Sequence, residues 1–217
     1  MSRRIIIVDD HPLFRAALRQ TLASEAGDVT VDEAGDLVAL SAALEADRDC
    51  DLVLLDLNVP GAHGFSGLLL LRAQYPEVPV MIISAIEDHK VIRRTFELGA
   101  AGYLPKSVGP ADIRTAIDTV LEGEIFVPDG VSLAGDDEQS ALIRRLSTLT
   151  PQQIRVLMML SDGLMNKQIA YELSISEATV KAHVSSILQK LDVDSRTQAV
   201  IAASRIEQGQ FDTLLEG

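Results

Sequence analysis

The chain has 217 residues, 47% of them apolar and 24% charged, with a formal net charge of −13 at pH 7. That length exceeds what one small core needs and points to two modest domains, while the acidic balance speaks against a polybasic coat for nucleic acid. A single cysteine, Cys50, excludes an internal disulfide framework and a cysteine-based zinc site, and no apolar stretch approaches the about 18–20 residues of a membrane span.

The N-terminus MSRRIIIVDD lacks the long apolar region and cleavage site of a secretory signal, so the expected location is the cytoplasm, with no membrane partner. Short apolar runs bounded by polar or turn residues then follow in order: RIIIVD, VTVDEA, CDLVLLDL, PVMIISA and AGYLPK. Each is followed by a segment of helical length, which predicts a five-strand βα pattern. The first, third and fourth runs are nearly all apolar, as strands covered on both faces of a parallel sheet are. Helices are predicted to begin near Pro12, Asp36, Ser66, Asp88 and Pro110, with Asp36, Ser66 and Asp88 suited to N-cap them. Cys50, beside CDLVLLDL, reads as a structural thiol.

Residues 1–135 hold 11 basic and 21 acidic residues, a net of −10; residues 136–217 hold 8 and 11, a net of −3. Between them, from about Ile125 to Leu146, turn formers, small residues and the acidic run DDE predict a linker finishing in a short helix around Gln139 to Arg145. From Thr150 the pattern is helical throughout. Thr150 precedes Pro151 as an N-cap, the chain stops at Asp162-Gly163, restarts at Asn166, turns at LSIS and restarts after Ser176. Short helices joined by tight turns predict a helix-turn-helix.

The strand ends hold the chemistry. In open α/β sheets ligands collect beyond the carboxyl ends of the strands, and there the first strand offers Asp9 and Asp10, and the third Asp56. A hard divalent cation relieves the repulsion among three such carboxylates, Mg²⁺ commonly with waters and phosphate oxygens completing its shell. A carboxylate in that setting can also attack phosphorus. The fourth strand ends at the Ser84 hydroxyl and the fifth at Lys106, a donor and an ammonium suited to phosphoryl oxygens. Taken one at a time, Asp9 and Asp10 could equally cap the first helix and Asp56 merely end a strand. The histidines His11, His63, His89 and His183 show no metal-ligand spacing.

With VDDH at Val8–His11, DLNVPGAHG at Asp56–Gly64, Ser84-Ala85 and YLPK at Tyr103–Lys106, residues 1–124 resemble the receiver domain of two-component response regulators. The resemblance implies a flavodoxin-like five-stranded parallel sheet with helices on both faces. It also implies Asp56 as acceptor of phosphate from a sensor histidine kinase. Asp9, Asp10, Asp56 and the Asn58 carbonyl would surround Mg²⁺, with Ser84 as switch hydroxyl and Tyr103 as an aromatic that turns inward when Ser84 moves. Residues 148–217 resemble the LuxR-type helix-turn-helix, a small all-α domain, after a linker at 125–147; the pairing is of the NarL/FixJ type.

In the third helix of that segment, spacing turns Val180, Val184, Ile187, Leu188 and Leu191 to the core. Thr179, Lys181, Ala182, Ser185 and Gln189 are left for a groove of double-stranded promoter DNA or for solvent. Lys181 suits a guanine edge or a phosphate, Thr179 and Asn166 suit backbone contacts, and Lys167 and Lys190 add charge. Family members often carry a larger apolar residue at Ala182, a basic one at Ser185 and a glutamate at Gln153. Fewer cations imply weak monomer binding with a shallow salt slope, so a homodimer is expected on activation. By family analogy its face is the last helix with Ala199, Val200, Ala202 and Ala203, which ordinary core packing would equally explain. The chain is therefore read as a phosphorylation-dependent transcription regulator and not an enzyme. The alternatives are a phosphorylation-switched protein-binding module with weak or lost DNA binding, and an aspartyl-phosphate phosphatase. The latter is disfavoured because its nucleophile usually follows the first strand.

Overall fold

The computed structural model describes residues 3–23, 29–62, 64–133 and 138–208. His63 and the acidic pair Asp136-Asp137 lie outside them, as does the side chain of Ala203. Five strands, β1 (Arg3–Val8), β2 (Val29–Ala34), β3 (Leu52–Asp56), β4 (Val80–Ser84) and β5 (Gly102–Pro105), form one sheet in the order β2-β1-β3-β4-β5. Every neighbouring pair is parallel. The helices between them are α1 (Pro12–Ala23), α2 (Leu37–Ala46), α3 (Ser66–Gln74), α4 (His89–Glu97) and α5 (Pro110–Leu121).

Strand periodicity sorts the core into two layers. Ile5 and Ile7 of β1 pack with Leu18 and Leu22 of α1 and with Ile113, Ala116 and Ile117 of α5. Ile6 and Val8 point the other way, into the cluster of Leu40 and Leu44 from α2 and Leu68 from α3. Alternate residues thus serve opposite faces, and a one-residue slip would reverse them all. Because β1 lies between β2 and β3, the chain leaves β1 to one side and β3 to the other, which opens a crevice at the carboxyl ends of β1 and β3.

Asp36 and Asp88 cap their helices as predicted, accepting from Ala39 N and Lys90 N at 2.7 Å each. Ser66 does not. It is the first residue of α3, and buried Phe65 occupies the cap position without a side-chain hydrogen bond. The turn before it is made by Gly61 and Gly64, at φ +83° and +56°, values that only glycine adopts without strain. Residues 125–126 do not behave as linker: Phe126 N donates to Ala101 O and Phe126 O accepts from Tyr103 N, so the chain is stitched to the edge strand before it departs.

Beyond it come α6 (Glu138–Leu146), α7 (Pro151–Ser161), α8 (Asn166–Glu172), α9 (Glu177–Leu191) and α10 (Arg196–Gln208). Thr150 and Gln153 form a capping box at the start of α7. Val180, Ile187 and Leu191 of α9 are fully buried, with Val184 and Leu188 packed beside them. The last helix decides between its two readings at two positions. Ala199 and Ala202 are 0% and 5% exposed, packed in the core that α10 shares with α7, so they are not an open pairing face. Among the described residues no helix is long and apolar enough to cross a membrane.

The two halves touch along one seam. α7 packs on α3, and α6 on α4. Arg155 of α7 donates to Gln74 Oε1 at 3.2 Å, and a cleft of about 330 Å³ between Leu69, Ala73, Leu98, Leu149 and Ile154 marks the join.

Between α8 and α9 the exposed Ser174 sits at φ +53°, a left-handed conformation that costs a non-glycine residue about 1 kcal/mol. Ser174→Gly should therefore stabilise the chain by about 0.5–1 kcal/mol in urea unfolding followed by circular dichroism; a loss of stability would show that the hydroxyl matters more than the backbone.

Candidate functional site

Five side chains meet at the carboxyl edge of the sheet because each follows, or ends, its strand. Asp56 closes β3, Ser84 closes β4, Asp9 and Asp10 follow β1, and Lys106 follows β5. Lys106 is anchored by its own N–H, which donates to Ser84 O at 2.8 Å. Its side chain then reaches back across β4, placing Nζ 2.7 Å from Asp56 Oδ2 and 2.6 Å from Asp9 Oδ2. Asp9 and Asp56 are only 2% and 4% exposed.

Two buried carboxylates this close need a positive partner, and one ammonium serves both. It donates a hydrogen bond to Asp56. Asp9 Oδ2 meets it as an ion pair and has no well-aligned hydrogen bond. Burial works against the charge on Lys106, but the close contacts and negative charges of Asp56 and Asp9 outweigh it and hold the ammonium pKa above its usual value. The Phe14 ring, 4.8 Å from Nζ, adds a cation–π contact.

Asp9 also plays the helix-entry role that was its plain alternative. Its Oδ1 accepts from His11 N at 2.7 Å, and its backbone carbonyl accepts from Arg15. The His11 ring, set aside for want of ligand spacing, belongs to the same cluster. Its Nδ1 lies 2.6 Å from Asp10 Oδ1 and 3.0 Å from Asp9 Oδ1. Among the described residues, donor atoms of Asp9, Asp10, His11 and Asp56 all lie within 4.8 Å of one another. Adjacent positions 9, 10 and 11 carry no spacing signal in the sequence, because a turn at a strand end brings them together. Asn58 is exposed in the β3–α3 loop, two residues past Asp56.

Ser84 Oγ, 1% exposed, accepts from Ile86 N at 3.2 Å, and Tyr103 Oη donates to Ile86 O at 2.6 Å. Tyr103 is fully buried in this structure, the inward position that the resemblance implies for the switched state. Burial pushes its phenol up to about 12. Ser84 and Tyr103 thus hold the N–H and the C=O of one residue, Ile86, in the β4–α4 loop.

In the helical half, Thr179, Lys181, Ala182, Ser185 and Gln189 of α9 are exposed together with Lys167 of α8. The seam between the halves leaves that face open. Lys181 pairs with Glu177 one turn earlier, at 3.1 Å. Two other residues are employed internally. Asn166 Oδ1 accepts from Arg196 at 3.0 Å, and Lys190 Nζ donates to Thr148 O at 2.7 Å and to Gln153 Oε1 at 2.8 Å. Lys190 therefore ties α9 to the start of α7 and has little reach to spare for DNA. Gln153 is explained by the same network: its Nε2 donates to Ser186 Oγ at 2.9 Å, which a glutamate could not do.

Residues 5–118 match the family model of the response regulator receiver domain, and residues 147–203 that of the bacterial regulatory proteins of the luxR family. The chain belongs to the response-regulator family. It is 40% identical over 212 residues to a glycerol metabolism activator of Pseudomonas putida, covering 94% of this chain and 96% of that one. It is 38% identical over 201 residues to the nitrate/nitrite response regulator protein NarP of Escherichia coli K12, covering 91% and 93%. A solved LuxR family DNA-binding response regulator from Silicibacter pomeroyi is 37% identical with a TM-score of 0.53, over 58% of this chain and 98% of that one. This response regulator pairs a receiver with a LuxR-type DNA-binding domain.

The two lysines of α9 should separate in experiment. Lys190→Ala removes the two hydrogen bonds that tie α9 to the start of α7 and should lower stability by about 0.5–1.5 kcal/mol with little change in the salt dependence of DNA binding. Lys181→Ala should leave stability unchanged and reduce the salt slope by about 1. Unfolding curves and filter binding across salt check both; the opposite assignment would reverse the face presented to DNA.

Proposed function

We propose that this chain is a cytoplasmic two-component transcription regulator in which Asp56 takes phosphate from a sensor histidine kinase and α9 enters promoter DNA. The observation that carries the reading is the shared contact of Lys106 with Asp56 and Asp9, a positive charge held where a phosphoryl group on Asp56 would lie. An Asp56 carboxylate oxygen attacks the phosphorus of the kinase phosphohistidine; the P–O bond forms as the P–N bond breaks, and the leaving imidazole keeps the electron pair and takes up a proton. Lys106 Nζ and Ser84 Oγ then answer phosphoryl oxygens. The donor set fits a hard divalent ion: Asp9, Asp10 and Asp56 with the Asn58 carbonyl would hold Mg²⁺. That ion would supply fixed positive charge against the phosphoryl oxygens.

Drawing Ser84 toward the phosphoryl group releases Ile86 N, which Ser84 now accepts from, and disturbs the residue whose carbonyl Tyr103 holds. The β4–α4 loop leads into α4, and α4 rests on α6. Moving such a switch from about 1:99 to 99:1 requires about 5.5 kcal/mol of differential stabilisation. Because the groove face of α9 is open in this arrangement, the reading favours control by pairing of protomers over control by masking. Pairing also offsets the small number of free cations on that face. The domain division that goes with it is 1–124, 125–147 and 148–217, the middle segment being held to β5 through Phe126 before it departs.

Asp56→Asn should take up no label from ³²P-acetyl phosphate and Mg²⁺ under conditions that label the wild type, and should bind promoter fragments no better after the treatment. Undiminished labelling of the variant would move the acceptor elsewhere. Efficient labelling of the wild type without any gain in DNA binding would favour a phosphorylation-switched protein-binding module.

A further inference from the structure

The peptide that joins Leu164 to Met165 and delivers the chain to α8 is held on both sides. Its carbonyl, Leu164 O, accepts from Arg196 Nη2 of α10, and its N–H, Met165 N, donates to Gln168 Oε1 at 2.8 Å. The other arm of the same guanidinium reaches the first residue of the helix: Arg196 Nη1 donates to Asn166 Oδ1 at 3.0 Å, 30 residues earlier in the chain.

That last bond does more than tie two helices together. A guanidinium can only donate, so the amide of Asn166 must offer it the oxygen, and Nδ2 is turned the other way. An unrestrained asparagine presents either end; here one end is chosen. Asn166 is half-buried and stands between exposed Met165 and Lys167. When a helix-turn-helix docks on a duplex, its second helix lies in the major groove and its first crosses the phosphate backbone. α8 is that first helix, packed against α9. A donor turned outward from its start suits phosphate oxygens, which an outward amide oxygen would repel.

We propose that Arg196 is a positioning residue for DNA binding, turning Asn166 so that its Nδ2 donates to a phosphate oxygen of the duplex backbone. The inference rests on the DNA-binding reading above and adds α10 to the elements that serve it. The contact is uncharged on the protein side, so it adds affinity without counterion release, which suits a face with few free cations. A lysine at position 196 would keep the charge. It would lack the planar fork that holds the Leu164 and Asn166 oxygens at once.

The test is a double-mutant cycle on the full chain, read by filter binding to a mixed-sequence duplex of about 30 base pairs, because a backbone contact does not depend on sequence. Asn166→Ala and Arg196→Lys should each weaken binding about fivefold, and Arg196→Lys should cost almost nothing further once residue 166 is alanine. The salt slope should stay the same throughout, since no cation is removed. An equal loss from Arg196→Lys in both backgrounds would reduce Arg196 to a structural tie through Leu164 and overturn the proposal, as would undiminished binding by either single variant. Circular dichroism verifies the fold of each. A further measurement needs no change at Arg196: the side-chain NH₂ resonances of Asn166, assigned by their loss in Asn166→Ala, should shift when the duplex is added to the wild type, and unshifted signals would overturn the contact. All of these failures leave duplex binding by the wild type standing. If the wild type binds no duplex, the DNA-binding reading itself falls, and the role of Arg196 with it.

Discussion

Asp9 and Asp56 are almost wholly withdrawn from water, on neighbouring strands, and both lean on the ammonium of Lys106. Removing one partner from such an arrangement leaves an uncompensated buried charge, which costs about 3–5 kcal/mol where burial is complete; here Lys106 keeps some exposure, so the figure is an upper bound. The arrangement works only if β1, β3 and β5 end at one level, with Lys106 long enough to span β4. Topology, register and chemistry therefore impose the same requirement. A phosphoryl group on Asp56 would meet charge that is already in place, so little reorganisation is needed when it arrives.

From that edge the consequences travel through packed elements. Ser84 and Tyr103 grip the N–H and the C=O of Ile86, the loop they restrain leads into α4, and α4 packs on α6. On the neighbouring helix, Arg155 and Gln74 join α7 to α3. The apolar cluster that covers one face of the sheet continues without a break into the helical half through Ile143, Leu146 and Leu149. The carboxyl edge of the sheet is thus joined to the helical half by packed contacts that leave α9, whose groove face is open, untouched.

Strand ends and helix starts were largely legible in the sequence, because they depend on local signals: short apolar runs bounded by polar or turn residues, capping residues at Asp36, Asp88, Thr150 and Ser176, and prolines at first turns. The exceptions have local causes as well. Ser66 looked like a cap, but the two left-handed glycines deliver the chain one residue earlier with buried Phe65 at the entrance. What could not be read were side-chain partnerships across long separations. The reach of Lys106 across β4 depends on register, and the capture of Lys190 by Thr148 and Gln153 spans 42 and 37 residues. Helical spacing put Lys190 at the margin of the exposed face and gave no hint that a carbonyl lay within its reach. Small Ala199 and Ala202 were equally suited to a dimer face and to a tight helix crossing, and only the fold distinguishes the two.

The central claim is that phosphoryl chemistry is completed by groups from four strand ends acting together on Asp56. A crystal structure of the full chain with Mg²⁺ and beryllofluoride, a mimic of the phosphoryl group, tests it most directly. The account predicts beryllium bonded to an Asp56 carboxylate oxygen, with Lys106 Nζ and Ser84 Oγ within hydrogen-bond distance of its fluorines and Lys106 drawn off Asp9. Beryllofluoride bound at another carboxylate, or at Asp56 with Lys106 still paired to Asp9 and Ser84 still held to Ile86, would contradict it.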